Sequence, residues 1–323
     1  MEKMTLSAWP TPMESAPRLA AAIGLHPYDL WIKRDDLTGL GGGGNKVRKL
    51  EWLIADALRH GADTLVTTGG PQSNHARLTA AAGARAGLAV VLVMPGSGRP
   101  DHLSGNLLLD AVFGARIVWA GDVSGPAALS DRAEQTCADL RGTGVVPYLV
   151  PFGGSNALGA RGYQEAGEEI LAQQPGIQHV VTALGSGATM AGLVAALGPE
   201  RVLGIDVGAL PDPAHVAAAF ASELTGRHLT ADHLRVRDDQ VGRGYGVLHE
   251  PVLDAITTVA TTQGVILDPV YTGRAAAGLA AAVRDGTIRP GERTVLLHTG
   301  GLPGLFGHDE ATRRISEVSR AQQ

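Results

Sequence analysis

Gly41-Gly42-Gly43-Gly44-Asn45-Lys46 is the stretch around which the rest of the chain is organised. Four glycines in a row remove side-chain bulk, so the backbone there can adopt positive φ angles or lie against a ligand. A helical pattern of apolar residues starts directly after them, with Val47, Leu50, Ile54 and Leu58 on one face. The pattern predicts that Lys46 lies in the first turn of a helix that begins at a glycine loop.

The position of Lys46 indicates a chemical role. A helix N-terminus carries partial positive charge and free N–H groups, which disfavour an ammonium group and shift a lysine towards its neutral amine. A neutral amine can attack a carbonyl carbon. The alternative is a solvated lysine beside the basic residues Arg48 and Lys49, and this stretch by itself supports both interpretations equally.

Length and composition exclude several classes of protein. The chain has 323 residues, of which 44% are hydrophobic and 18% charged, enough for two modest domains or one large one. A formal net charge of −5 argues against binding to nucleic acid. The single cysteine, Cys137, can form neither an internal disulfide nor a cysteine metal cluster. We find no apolar run of signal-peptide or membrane-span length, so we expect a soluble, cytoplasmic protein without a metal or a membrane partner.

Strands and helices are predicted to alternate from Asp63 onward, which is typical of right-handed βαβ units around parallel sheets. The predicted strands are residues 30–33, 64–67, 90–94, 116–119, 146–150, 179–184, 201–207, 265–267 and 294–298. The charged run Arg34-Asp35-Asp36 is interpreted as a solvated strand end. A long polar connection at 208–243 departs from the alternation and is a candidate for shaping a substrate pocket.

Four polar, glycine-containing turns follow predicted strands, at 69–75, 185–189, 268–273 and 299–301. Ligands of open parallel sheets bind beyond such strand ends. The turn at 185–189 offers backbone N–H groups, two hydroxyls and a helix start, and predicts a cradle for one small phosphate. It lacks the lysine of a P-loop and the glycine spacing of a dinucleotide site, and a plain tight turn is the alternative. Ser73-Asn74-His75 places three hydrogen-bonding side chains at another helix start, where capping explains one of them.

A phosphate cradle, a candidate amine nucleophile and several neutral hydroxyls favour pyridoxal phosphate over a metal or a nicotinamide cofactor. The aldehyde of pyridoxal phosphate forms a Schiff base with a lysine, and its ring stabilises carbanions. The glycines beside Lys46 would allow the cofactor to lie against the backbone.

Five motifs, in this order, resemble those of the family of 1-aminocyclopropane-1-carboxylate (ACC) deaminases and D-cysteine desulfhydrases. They are Ile32–Gly39 with Gly43–Glu51, Gln72–His75, Gly185–Thr189, Pro269–Gly273 and His298–Gly301. The resemblance spans nearly the whole chain. It implies a two-domain α/β fold like that of tryptophan synthase β (fold type II), with open, mostly parallel twisted sheets. It also implies a larger pyridoxal-phosphate domain of residues 1–47 and 155–323, a smaller α/β domain of residues 48–154, and a homodimer.

The resemblance assigns roles by position. Lys46 resembles the Schiff-base lysine, which takes the α-proton of the substrate, and Asn74 resembles the partner of the cofactor 3-hydroxyl. Ser73 resembles the residue that meets the substrate carboxylate, a nucleophile or proton shuttle in the ACC branch. Tyr245 and Tyr271 resemble the two active-site tyrosines. The other residues expected to contact the cofactor are Gly185, Ser186, Gly187, Ala188, Thr189, Thr272 and Thr299. The residues expected to contact a small amino-acid substrate are Ser73, Asn74, His75 and Tyr271.

Thr272 and Thr299 separate the two branches, because ACC deaminases have Glu and Leu there and this chain resembles the desulfhydrases. A carboxylate near the ring nitrogen would keep it protonated and strengthen electron withdrawal, which a threonine cannot do. Opening a cyclopropane needs that activation more than expelling a thiolate does. The sequence therefore predicts α,β-elimination from D-cysteine, giving hydrogen sulfide, ammonia and pyruvate.

Several alternatives remain on this scaffold. ACC deamination is one, and elimination from L-cysteate, β-chloro-D-alanine or D-serine is another. A third is a different reaction in secondary metabolism. The non-enzyme alternative is a carrier of pyridoxal phosphate or a degenerate binding protein, against which the presence of Lys46 counts.

Overall fold

The computed structural model describes residues 1–123 and 125–321, which form two open sheets flanked by helices. The strands are β1 (Met13–Ser15), β2 (Leu30–Arg34), β3 (Thr64–Thr68), β4 (Ala89–Met94), β5 (Arg116–Trp119), β6 (Pro147–Leu149), β7 (His179–Leu184), β8 (Val202–Asp206), β9 (Arg235–Arg237) and β10 (Thr294–His298). The helices are α1 (Pro17–Ile23), α2 (Lys46–Arg59), α3 (Asn74–Ala86), α4 (Gly105–Val112), α5 (Pro126–Arg141), α6 (Ala157–Gln173), α7 (Ala188–Leu197), α8 (Pro213–Thr225), α9 (Glu250–Gln263), α10 (Thr272–Arg284), α11 (Leu302–Phe306) and α12 (Asp309–Ala321).

The larger sheet has six strands in the order β1-β2-β10-β7-β8-β9. Its strands pair in parallel, except that β1 runs antiparallel to β2. Two separate apolar clusters cover the two faces of this sheet. One packs α1, α9 and α10 against it and the other packs α6, α7 and α8. The strands in the middle are therefore apolar almost throughout, as expected for a parallel sheet that is buried on both faces.

The smaller sheet has four parallel strands in the order β5-β4-β3-β6. Helices α2, α3 and α4 contribute to the apolar cluster on one face, and α5 to the cluster on the other. The two sheets and their helices confirm the predicted α/β fold with mostly parallel sheets. The larger sheet draws its strands from two separate parts of the chain and the smaller sheet from the part between them; the proposed domain limits at 47/48 and 154/155 stay predictions.

Two sequence interpretations are wrong. Residues 265–267 form no strand. Val265 and Leu267 are buried and Ile266 is exposed, but this alternation comes from packing against the core and not from pairing in a sheet. Asp35 is not solvated. It is fully buried, and Arg48 Nε donates to its Oδ2 atom over 2.8 Å.

Other elements carried no clear signal in the sequence. The strand β9 lies within the polar 208–243 connection, and α11 and α12 follow β10, the last strand that was predicted. Within residues 1–123 and 125–321, none of the helices has the length and apolar character that crossing a bilayer requires.

Candidate functional site

A cavity of about 660 Å³ lies beyond the carboxyl ends of strands from both sheets. The turns at 69–75, 185–189 and 299–301 follow β3, β7 and β10 and contribute to its wall. The turn at 268–273 also contributes, but it follows an irregular segment, contrary to the prediction that a strand precedes it. The cavity is thus at the sheet edge where ligands of parallel sheets bind.

The glycine loop approaches the cavity in a conformation that requires glycine. Gly43 has a φ of +74°, and a Cβ atom there would collide with the carbonyl oxygen of Asp36. The guanidinium of Arg77 donates to the carbonyl oxygens of Gly41 and Gly43. The backbone N–H of Asn45 donates to Thr299 O over 2.9 Å. These contacts fix the loop and place the next residue as the first of α2.

Lys46 lines the cavity beside a second buried amine. Lys46 Nζ lies 3.1 Å from Gly153 O, and Lys49 Nζ lies 3.5 Å from the same oxygen and 3.2 Å from Ser155 Oγ. Burial lowers the pKa of Lys46 to about 8. Burial, together with the charge of Lys46, lowers the pKa of Lys49 well below its ordinary value. Lys46 is therefore shifted towards the neutral amine, with burial and not the helix terminus as the main cause.

The interpretation of this stretch as a solvated basic face is wrong, because Arg48 and Lys49 are each only 1% exposed. Arg48 is held by Asp35 and by Glu169, whose Oε2 accepts from Arg48 Nη2 over 2.8 Å. Lys49 contacts a carbonyl and a hydroxyl, and among the described residues no carboxylate pairs with either Lys46 or Lys49. The absence of a carboxylate partner agrees with the lowered pKa values of both amines.

The turn at 185–189 forms a polar wall that is joined to these amines through Ser155. Gly187, with a φ of +91°, precedes the first residue of α7, so the free N–H groups of that helix start lie in the turn. Ser186 Oγ is 2.7 Å from Ser155 Oγ, the hydroxyl that also contacts Lys49. Asn45 Nδ2 donates to Thr189 Oγ1 over 3.2 Å. Gly185, Ser186, Gly187 and Thr189 line the cavity, whereas Ala188 is fully buried.

The donors of this wall fit a phosphate. A helix start with free N–H groups and neighbouring hydroxyls binds phosphate oxygens. The neutral amine of Lys46 in the same cavity fits an aldehyde. The residues present therefore fit pyridoxal phosphate.

The three polar residues after β3 have distinct partners. Ser73 is the N-cap of α3, and its Oγ accepts from the N–H of Ala76 over 3.1 Å. Asn74 lines the cavity, and its Oδ1 accepts from Asn106 Nδ2 over 3.0 Å. Capping therefore accounts for Ser73 and leaves the amide nitrogen of Asn74 for another partner.

His75 is a buried, neutral ring, and its contacts determine which ring nitrogen carries the hydrogen. Its Nε2 lies 2.8 Å from Thr67 Oγ1, whose own hydrogen is donated to Val150 O. The hydroxyl has one hydrogen, so Nε2 must donate and Nδ1 keeps a lone pair without a hydrogen-bond partner among the described residues. Burial, with the charges of Lys46 and Lys49, lowers the pKa of His75 well below its ordinary value.

The two predicted tyrosines meet at the cavity. The hydroxyl oxygens of Tyr245 and Tyr271 are 2.5 Å apart, and their rings meet edge to face. Tyr245 is 50% exposed as a residue, but its hydroxyl is turned inward to Tyr271. Burial raises the pKa of both hydroxyls, for Tyr271 with the added effect of Tyr245, so both carry their protons at neutral pH.

Asp268 is the one carboxylate on the described wall of the cavity, and its oxygens are fully used. Its Oδ1 accepts from the N–H and the hydroxyl of Thr272, over 2.8 and 2.7 Å. Its Oδ2 accepts from the N–H groups of Val270 and Tyr271, each over 2.9 Å. Four donors saturate a carboxylate, so Asp268 holds the start of α10 and has no lone pair left for a ligand.

The predicted cofactor contacts Thr272 and Thr299 differ in position. Thr299 lines the cavity. Thr272 is 1% exposed, and its hydroxyl faces Asp268 and not the cavity. Sequence reasoning missed Lys49, Ser155, Asp268 and Asn106. The spacing of Lys46 and Lys49, three residues apart on one helix, was a usable signal, because such residues share a face.

Comparisons with known proteins agree with this geometry. The family described as pyridoxal-phosphate dependent enzyme matches residues 4–300. A Pyrococcus abyssi protein that carries the provisional name 1-aminocyclopropane-1-carboxylate deaminase is 39% identical over 321 residues, which cover 95% of this chain and 94% of that protein. A crystal structure of an ACC deaminase homologue aligns with a TM-score of 0.86 at 37% identity, covering 96% of this chain and 94% of its own.

A more distant structure shows the fold alone. The processed form of threonine deaminase isoform 2 from Solanum lycopersicum aligns with a TM-score of 0.64 at 19% identity, covering 91% of this chain and 80% of its own. That enzyme has fold type II, and the predicted tryptophan-synthase-β-like fold is thereby confirmed.

Proposed function

The chain belongs to the pyridoxal-phosphate dependent enzymes, within the ACC deaminase family, and from this premise we propose that it catalyses α,β-elimination on D-cysteine. The products are hydrogen sulfide, ammonia and pyruvate. The enzyme is accordingly a carbon–sulfur lyase whose substrate is a small amino acid.

The observation that carries this proposal is the saturated carboxylate of Asp268. A free carboxylate beside the ring nitrogen of the cofactor would keep that nitrogen protonated and strengthen electron withdrawal. Asp268 is committed to four donors of the α10 start, and Thr299 at the cavity carries a neutral hydroxyl. A cofactor beside this wall would withdraw electrons less strongly, which suits a reaction with a good leaving group. A thiolate leaves more readily than the ring carbon of a cyclopropane.

The residues of the chain divide the work of binding. The turn at 185–189 would hold the phosphate, the amide of Asn74 would contact the 3-oxygen, and the amine of Lys46 would face the aldehyde. Bound there, pyridoxal phosphate withdraws electrons from the α-carbon of the substrate. Ser73 Oγ accepts from Ala76 N, so its hydroxyl hydrogen remains to be donated to the substrate carboxylate.

Proton movements follow from the protonation states. Lys46 Nζ, with a pKa near 8, accepts the α-proton in its neutral form. Tyr245 and Tyr271 hold two hydroxyl hydrogens and share one hydrogen bond, so one hydrogen remains for the cavity. That hydrogen forms a hydrogen bond to the departing sulfur, which leaves as HS⁻.

The test measures sulfide from purified, cofactor-loaded protein with D-cysteine, L-cysteine and ACC in parallel. We expect sulfide from D-cysteine, with loss of at least about 10³-fold in Lys46→Ala, because the amine both binds the cofactor and moves the proton. Lys3→Ala, at a lysine outside the cavity, is the matched control and should retain activity. Absence of sulfide from D-cysteine, with the cofactor bound, would overturn the proposal, whether or not L-cysteine releases sulfide.

ACC deamination is the second candidate, favoured by the names of the Pyrococcus abyssi relative and of the crystallised homologue. It predicts ketobutyrate and ammonia from ACC in the same experiment. If neither substrate turns over, L-cysteate, β-chloro-D-alanine and D-serine are the next ones to measure.

We also propose, from the family resemblance, that the active form is a cytoplasmic homodimer. Light scattering on the eluate of a size-exclusion column measures the mass in solution, and a value at the 33.3 kDa of one chain would contradict the dimer.

A further inference from the structure

Two residues outside the cavity contact the amide of Asn74. Asn74 Oδ1 accepts from Asn106 Nδ2 over 3.0 Å and from Arg77 Nη2 over 3.4 Å. Asn106 belongs to α4 and is absent from the wall of the cavity, and Asn106 and Arg77 are both fully buried. Asn74 is thus backed by a pair of buried polar groups on the side away from the ligand.

The orientation of both amides follows from the guanidinium. Arg77 can only donate, and its Nε lies 2.9 Å from Asn106 Oδ1, so that atom must be the oxygen. Asn106 Nδ2 then faces Gln72 O, over 2.9 Å, and Asn74 Oδ1. Asn74 in turn has its oxygen facing inward and its NH₂ group available to the cavity. No alternative assignment satisfies all these contacts, because a flipped amide would oppose donor to donor.

The network is fixed at its other contacts as well. Gln72 Oε1 accepts from the N–H of Asn106 over 2.9 Å, which holds the start of α4 against the β3–α3 turn. Arg77 also donates to the carbonyl oxygens of the glycine loop that precedes Lys46. Rotation of the Asn74 amide would therefore break several buried hydrogen bonds, each of which is costly to lose.

We propose that Asn106 and Arg77 are positioning residues that hold Asn74 as a hydrogen-bond donor, so that the cavity selects the deprotonated, anionic 3-oxygen of the cofactor. An N–H donor stabilises an oxygen anion and offers no acceptor to a hydroxyl hydrogen. The inference rests on the proposed cofactor site and concerns the ionisation of the bound cofactor, whichever amino acid is the substrate.

The test is Asn106→Asp, which keeps the shape and removes the NH₂ group. The carboxylate pairs with Arg77 but can only accept, so the Asn74 amide turns its NH₂ inward and presents its oxygen to the cavity. We expect the 3-oxygen to become protonated. The visible absorbance of the bound cofactor should move to the near ultraviolet, and the pH midpoint of that transition should rise by about one unit or more. Cofactor affinity, measured by equilibrium dialysis, should fall about tenfold.

Asn156→Asp is the matched control. Asn156 Oδ1 caps α6 by accepting from the N–H of Gly159, a role that aspartate fills equally well, so its spectrum should equal that of the unchanged protein. Asn106→Ala is the second variant. It frees the Asn74 amide to take both orientations and should give a mixture of the visible and near-ultraviolet bands.

An unchanged spectrum and pH midpoint in a folded Asn106→Asp protein would overturn the proposal. If that variant does not fold, an unchanged spectrum in Asn106→Ala would overturn it instead. All spectra are recorded without substrate, so absence of sulfide release in the activity test leaves this result interpretable and bears only on the proposed reaction.

Discussion

Lys46 shows how burial sets reactivity at the scale of one residue. Because burial lowers its pKa to about 8, the fraction of neutral amine rises as the pH increases through that value. We predict that the rate at which the cofactor-free protein binds pyridoxal phosphate rises with pH and levels off above about 8. Stopped-flow absorbance measures this rate, and Lys46→Ala should develop no visible band. A rate that does not depend on pH would contradict the assignment of Lys46.

Asp110 provides a prediction about stability. It is fully buried, its oxygens have no hydrogen-bond partner among the described residues, and burial raises its pKa to about 7 in spite of Arg77. Between pH 4 and 7 the folded protein thus binds a proton that the unfolded chain has released, so this carboxyl makes stability fall as pH rises through that range. Asp110→Asn should stabilise the protein above pH 7 by on the order of 3 kcal/mol and by much less near pH 4.

Urea unfolding at both pH values measures this difference. Asp131→Asn, at an exposed position of α5, is the control and should change neither value. An equal effect of Asp110→Asn at the two pH values would show that the carboxyl is not protonated by burial.

The sequence located most of the cavity wall but not the partners behind it. Lys46, Ser73, Asn74, His75 and the 185–189 turn follow strand ends or a glycine loop, and Tyr271 lies in a turn before a helix. Local sequence pattern reveals such positions. Thr272 was placed at the ligand although its hydroxyl faces Asp268, because sequence does not show which way a side chain points after a turn. Asn106 reaches Asn74 from 32 residues away through a fold-dependent contact. The roles of all these residues stay predictions.

Among the elements, the glycine loop before α2 carries a conformational requirement that can be measured. Gly43→Ala should destabilise the protein by about 3 kcal/mol or more and weaken cofactor binding, because its Cβ collides with Asp36 O. Gly39→Ala is the matched control. Gly39 has a similar φ of +78°, but a Cβ there meets nothing within 4 Å, so about 1 kcal/mol is expected. Equal losses in the two variants would show that the collision does not matter.

Helices and strands were predictable where a periodic pattern of apolar residues ended at residues typical of turns. The helix α2 and the strands β7 and β10 appear at the predicted positions. The strand predicted at 265–267 is absent because the alternation of buried and exposed residues there reflects packing. The strand β9 was not predicted, because Arg235-Val236-Arg237 pairs at a sheet edge without an apolar pattern. Edge pairing depends on a neighbouring strand, which a local window cannot contain.

At the scale of the molecule, the cavity wall joins both sheets. Asn74 starts α3, the helix after β3 of the smaller sheet, and Gly185 to Thr189 follow β7 of the larger sheet. A ligand that contacts both should stabilise them together. We predict that cofactor binding slows amide hydrogen exchange both at the start of α3 and at the start of α7. Protection confined to one of them would contradict a cofactor site shared by the two sheets. Exchange in α9, none of whose residues line the cavity, serves as the internal reference.

The strand order of the larger sheet also determines when its strands can pair during translation. In that sheet β2 lies between β1 and β10, yet β10 follows β2 by about 260 residues, which a ribosome adds in roughly 13 to 50 s. The smaller sheet can close during translation, because all four of its strands emerge within residues 64–149. One edge of β2 stays unpaired, and open to aggregation or to binding by a chaperone, until β10 leaves the exit tunnel. Thr299, whose carbonyl fixes Asn45 beside Lys46, emerges directly after it. Nascent chains that stop before β10 are therefore expected to bind no cofactor, and the enzyme acquires it only near the end of its synthesis.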